Sequence, residues 1–218
     1  FWLKLHCSEL PSKQTAMLLT LLAGVASVLR GNTTRSAPSV DQACGGGIVV
    51  ITTTTCGHSQ VYYQDGKLAN AVAAHPGTRV RAFFAGFAAV APGGGCGEWD
   101  ETSECTTDLM AMCAQVLASN NAEAIPFHTC LFHEFYEEAW EEHKLAKCSH
   151  SLPKGVSQSA VKQCVQGSQG VKLIDEVKRC HMALEPVAKE AGEEMNCPWE
   201  AVDGQMGGGL EKLLASRN

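Results

Sequence analysis

The sequence predicts an α/β protein: a strand-helix-strand unit leads into a cysteine-rich helical insertion, and a short strand and a helix close the chain. Three observations carry that expectation. Ile48 to Thr55, "IVVITTTT", is a continuous β-branched run behind three glycines, the pattern of a strand buried on both faces. Ser59 to Ala74 then turns to helical spacing before "TRVRAFFAGFAAV" returns to strand composition, which gives the order β, α, β. From Pro92 the composition shifts to Cys, Glu and His with a helical period, until Pro198 and Asp203-Gly204 bound a last strand.

Residues 1–16, "FWLKLHCSELPSKQTA", have no pattern of their own, stop directly before Met17, and are expected to be foreign to the natural chain. "MLLTLLAGVASVLRG" follows, an apolar run of about a dozen residues with Gly24, Ala26 and Ser27 near its end; it reads as the hydrophobic region and cleavage zone of a secretory signal. An N-terminal buried helix is the competing reading. The run is too short to cross a bilayer, which takes about 20 apolar residues. Gly31 to Asp41 is a polar, Pro-containing linker, so residues 1–40 are assigned to leader, signal and linker. Residues 41–218 are assigned to a single domain with its helical insertion at about 92–185, since the chain is too short for two well-buried domains.

Export agrees with two further features. Asn32-Thr33-Thr34 is an N-glycosylation acceptor. Without Cys7, ten of the eleven cysteines remain, an even number at a density that is normal where disulfides persist. The mature chain is expected to have no membrane span. A net charge of −6 without any Lys/Arg run leaves no electrostatic footprint for nucleic acid.

Within the domain, Ser59 to Ala74 sets Val61, Tyr62, Leu68 and Val72 roughly on one side of a helix that Gly66 weakens and His75-Pro76-Gly77 ends. Thr107 to Ser119, Phe132 to Lys147, Val156 to Val165 and Gly170 to Leu184 are the helical patterns of the insertion. The acidic run Glu134 to Glu142 reads as a solvated helix face. "NCPWEAVDG" is a short strand, and "GGGLEKLLASRN" a terminal amphipathic helix. The triple glycines at Gly45, Gly93 and Gly207 lack the residues of a phosphate loop and read as turns.

The chemistry concentrates at the first strand-to-helix turn, "TCGHS". A cysteine in the first turn of a helix meets unpaired backbone N–H groups and the positive end of the dipole, both of which favour thiolate. Cys56 is therefore a candidate nucleophile, and a cationic His58 beside it would favour the thiolate further. Cys56-Gly57-His58-Ser59 has the form of a protein disulfide isomerase motif whose second cysteine is serine. In a two-cysteine motif the second thiol releases the bound substrate, a step that the Ser59 hydroxyl cannot perform. The alternative is a structural Cys56 and a surface His58.

The second half narrows the choice. Cys105 and Cys113 lie in "ECTTDLMAMC"; Cys130, Cys148 and Cys164 follow, the last in "CVQGSQGVKL"; then come Pro198-Trp199 and Val202-Asp203-Gly204. Over roughly Gly47 to Gly204 this ordered set resembles the gamma-interferon-inducible lysosomal thiol reductase (GILT) family of the thioredoxin superfamily, most specifically from Cys148 to Leu173. The resemblance implies a thioredoxin-like fold and a secreted or endolysosomal thiol-disulfide oxidoreductase. It places Cys56 as nucleophile, Ser59 at the resolving position, and Pro198 as the cis-proline facing the redox motif. It makes Cys96, Cys105, Cys113, Cys130, Cys148 and Cys164 scaffold disulfides, in one of fifteen possible pairings. Two departures stand out: the family's C-Q-H-G signature is here Cys96-Gly97-Glu98-Trp99, and the second active-site cysteine is missing.

In thioredoxin-like geometry the residue before the cis-proline faces the nucleophile, and here it is Cys197. Cys197 is thus a candidate partner for Cys56, which would leave Cys44 and Cys180 to pair with each other. The partners implied are disulfide-bonded proteins and a small-molecule thiol as reductant; no cofactor is implied. The His128, Cys130, His133, Cys148 and His150 group fits no standard zinc spacing, so no metal site is assigned. A hydrolase triad around Ser59 lacks its G-x-S-x-G elbow. The main competing function is a disulfide-stapled secreted binding protein on the same frame, with catalysis lost.

Overall fold

The computed structural model describes residues 39–85, 96, 100–137, 143–193 and 197–217. The leader, the signal-like run, Asn32, the glycines at Gly93, Gly97-Glu98-Trp99, Asn196 and the side chains of the acidic run Glu134 to Glu142 lie outside the described residues. A four-stranded mixed sheet in the order β2-β1-β3-β4 is built from β1 (Ile48–Thr52), β2 (Val80–Phe84), β3 (Trp199–Val202) and β4 (Gln205–Met206). β1 pairs parallel with β2 and antiparallel with β3, and β3 pairs antiparallel with β4.

All five residues of β1 are buried, as a β-branched central strand covered on both faces should be. Entry into β1 requires a glycine: Gly47 has φ 76°, and a Cβ there would run into the Arg79 carbonyl oxygen. The edge of β2 is closed by a side chain. Gln115 accepts from Ala82 N–H at 2.9 Å and donates to Ala82 O at 3.2 Å, so a buried amide supplies the missing ladder rung. Asp203 and Gly204, at φ 48° and 76°, form the two-residue turn that reverses β3 into β4.

A short α1 (Val40–Cys44) precedes β1, capped by Ser39 and Gln42 in a capping box, and begins inside the linker expected to run to Asp41. The single helix expected over Ser59 to Ala74 is two: α2 (Gly57–Gln64) and α3 (Lys67–Ala74). Gly66 is the cause, since it sits left-handed at φ 69° and caps α3, where it was expected only to weaken a continuous helix.

Between β2 and β3 every described regular element is helical: α4 (Glu104–Leu117), α5 (Ile125–Glu137), α6 (Lys144–Lys147), α7 (Gln158–Gln166) and α8 (Ser168–Ala191). The pattern read over Phe132 to Lys147 divides between α5 and α6, with His143 left-handed (φ 78°) at the start of α6. α8 runs past the expected end at Leu184 through Pro186 to a left-handed Gly192 cap, carrying the helical segment beyond 185. α9 (Leu210–Ala215) closes the chain.

Five disulfides staple this arrangement. Cys113–Cys164 joins α4 to α7, Cys130–Cys148 joins α5 to the turn after α6, and Cys96–Cys105 closes the approach to α4. Cys44–Cys180 ties α1 to α8, beside the Arg81–Glu176 ion pair (2.7 Å) that ties β2 to the same helix. Among the described residues no helix is long and apolar enough to cross a membrane.

Candidate functional site

β1 stops at Thr52, short of the expected strand end. Thr53, Thr54 and Thr55 turn instead toward two carboxylates one helical turn apart on α4. Glu104 accepts from the hydroxyls of Thr53 and Thr55. Asp108 accepts from Thr54 N–H at 2.8 Å and from the Thr54 hydroxyl at 2.7 Å, and both of these residues are fully buried. The polyThr run therefore ends as a pinned turn.

That turn delivers Cys56 to the N-cap of α2, where its Sγ lies 3.4 Å from Ser59 N. The sulfur occupies the place of a capping oxygen, against an N–H without an intrahelical partner. Cys197 arrives from the other side. Because β3 runs antiparallel to β1 with Trp199 opposite Ile51, the residues entering β3 lie beside those leaving β1. Cys56 and Cys197 are joined in a disulfide with Cα atoms 6.6 Å apart, and the Cys197-Pro198 peptide is cis. Cys56, Cys197 and Pro198 are each partly exposed, and His58 is exposed on the first turn of α2.

Ser59 is completely buried beneath the pair. Its Oγ lies 3.1 Å from Cys197 Sγ and also accepts a hydrogen bond from the buried Thr52 hydroxyl. One residue thus addresses both sulfurs, Cys56 through its backbone N–H and Cys197 through its hydroxyl.

The other expected site residues separate from this centre. Cys96, Cys105, Cys113, Cys130, Cys148 and Cys164 pair among themselves, and Cys44 pairs with Cys180. Cys130 and Cys148 are bonded to each other, so neither offers a thiolate to zinc. His128 is buried edge-on against the rings of Tyr63 and Phe84, with Nε2 donating to Ala111 O at 3.0 Å. Burial lowers its pKa to about 4, which keeps the ring neutral. Among the described residues no group of three or more His, Cys, Asp and Glu is placed to hold a metal ion.

A groove of about 690 Å³ between α3, β3 and α9 is lined by Lys67, His75, Glu200 and Glu211, and burial holds the Glu200 carboxyl above the usual carboxylate range. Neither Cys56 nor Cys197 lines it. Sequence reasoning missed Thr52, Thr54, Glu104 and Asp108. Their available signal was four threonines where a strand should end, together with two acids spaced i, i+4 in "ECTTD". No protein-family model matches the chain, and no curated protein matches it significantly.

Proposed function

We propose that this chain is a secretory-pathway thiol-disulfide oxidoreductase of the GILT type on a thioredoxin-like frame, with Cys56 and Cys197 as its redox couple. The observation that carries the reading is the Cys56–Cys197 disulfide, which is partly exposed and has one sulfur at a helix N-cap. A helix N-terminus stabilises a thiolate, and a thiolate is the attacking species in disulfide exchange. The parallel β1–β2 pair, the antiparallel β1–β3 pair and the cis-proline beside the motif support the frame.

In the reducing direction the Cys56 thiolate attacks one sulfur of a substrate disulfide. A Cys56–substrate bond forms, the substrate bond breaks, and the first substrate sulfur leaves as thiolate and takes a proton from water. Cys197, having lost its proton to solvent, then attacks Cys56 Sγ. This forms Cys56–Cys197 and releases the second substrate thiolate. The substrate has gained two electrons and the enzyme has lost two. Two molecules of a small thiol restore the dithiol and become a disulfide themselves. Cys197 thereby does the work that Ser59 cannot, from the entry to β3 instead of from α2.

The five disulfides and the lack of a membrane-crossing helix among the described residues are compatible with a secreted or endolysosomal location. The test is reduction of insulin by the full chain in the presence of a small-molecule thiol. Turnover above the thiol alone, abolished by Cys56→Ser and strongly slowed by Cys197→Ser, is expected. No turnover, with Cys56–Cys197 still oxidised under that thiol, would favour the binding-protein reading.

A further inference from the structure

Ser59 looks at first like the residue left behind when a resolving cysteine was lost, yet its surroundings give it a task. It is fully buried, and its oxygen reaches both Cys197 Sγ at 3.1 Å and the Thr52 hydroxyl. A disulfide sulfur carries no proton, so in the Ser59–Cys197 contact the serine is the donor. Thr52 donates to the serine oxygen, which leaves the serine's own proton free for that sulfur. The two hydroxyls form a directed chain from Thr52 to Ser59 to Cys197.

We propose that Ser59 is a catalytic hydrogen-bond donor to Cys197, oriented by Thr52 as a positioning residue, which stabilises the Cys197 thiolate whenever its bond to Cys56 is open. The proposal rests on the redox couple proposed above and assigns its second sulfur. The consequence is a division of labour at one residue. The Ser59 backbone N–H serves the Cys56 sulfur, and the Ser59 hydroxyl serves the Cys197 sulfur. In the reducing direction the hydroxyl raises the fraction of Cys197 present as the attacking thiolate. In regeneration, when a small thiolate attacks Cys56 Sγ, the electron pair of the broken bond passes to Cys197 Sγ. The Ser59 O–H stabilises that leaving thiolate until it takes a proton from solvent. A serine at this position therefore retunes the site for a partner at the entry to β3.

The two sulfurs can be read separately. In the reduced full chain, the rate of iodoacetamide labelling is followed against pH with peptide mass spectrometry to resolve each cysteine. Cys197 is read in a Cys56→Ala background and Cys56 in a Cys197→Ala background. A hydrogen bond to a charged group is worth roughly ten- to a hundredfold in such an equilibrium. Ser59→Ala is therefore expected to lower the Cys197 thiolate fraction at neutral pH at least tenfold and to raise its labelling midpoint. Cys56 should move less than twofold, because alanine keeps the backbone N–H. Thr52→Val, which keeps the shape, should shift Cys197 in the same direction, and Thr52→Ser should not. Near-ultraviolet circular dichroism checks that each variant is folded, and Thr52→Val supplies the reading if Ser59→Ala does not fold. An unchanged Cys197 midpoint in the folded variant, or equal shifts at both cysteines, overturns the proposal. A Cys197 shift in a protein that does not reduce insulin would uphold the hydrogen-bond assignment and remove only the enzymatic reading.

Discussion

Replacing Asp108 with alanine should unfold the approach to Cys56, and the structure sets the scale of the loss. The carboxylate is fully buried and accepts from Thr54 N–H at 2.8 Å and from the Thr54 hydroxyl at 2.7 Å, with Thr54 itself fully buried. Alanine leaves both donors without an acceptor. Each orphaned buried group costs about 1–3 kcal/mol, so the expected loss is about 2–6 kcal/mol. Asp108→Asn keeps an acceptor oxygen but gives up the charge assistance, and should cost about 1–2 kcal/mol. Thr54→Val removes the hydroxyl bond and keeps the N–H bond. The assay is urea unfolding followed by tryptophan fluorescence, run as a double-mutant cycle between Asp108→Asn and Thr54→Val. A coupling of about 1 kcal/mol is predicted. A loss under 0.5 kcal/mol for Asp108→Ala, or no coupling in the cycle, would refute the claim that this carboxylate holds the turn.

Acid should weaken the fold through His128. The unfolded ring takes up a proton near pH 6.5 while the buried one stays neutral down to about pH 4. The unfolded state therefore binds more protons over that interval, and stability falls as pH drops through it, by about 3 kcal/mol in all. Unfolding free energies at pH 7 and pH 4.5 should reveal the loss, and His128→Gln should flatten it. Replacing both Cys113 and Cys164 with alanine opens a loop with a sequence separation of 51 and should cost about 4 kcal/mol by loop entropy. Equilibrium denaturation measures that loss; a cost below 1 kcal/mol would mean that the helices hold α4 and α7 together without the staple.

The α/β class was legible because its two strongest signals are local. "IVVIT" is a β-branched run behind glycines, the pattern of a strand buried on both faces, and after Pro92 the composition shifts to Cys, Glu and His with a helical period. The division of Ser59 to Ala74 was less legible: Gly66 can sit within a helix at modest cost, and only its left-handed backbone makes it a boundary. At the site, Cys56 could be read from its place after a strand, since capping is set by neighbours in sequence. The pairing with Cys197 was expected only through the family resemblance, because it depends on the antiparallel register of β3 on β1, which no local pattern encodes. The same holds for the threonine turn. Its partners Glu104 and Asp108 lie about fifty residues away, and a run of β-branched residues gives no hint that carboxylates will claim its last three.

An attacking Cys56 in a couple completed by Cys197 should be trapped on its substrate when Cys197 is removed. The most direct measurement is capture: the full chain carrying Cys197→Ser is reduced with a small thiol, freed of it, and mixed with insulin, and the products are digested without reduction for mass spectrometry. A stable mixed disulfide between Cys56 and an insulin cysteine is expected, absent when Cys56→Ser is added. No adduct, or an adduct carried by a cysteine other than Cys56, would contradict it.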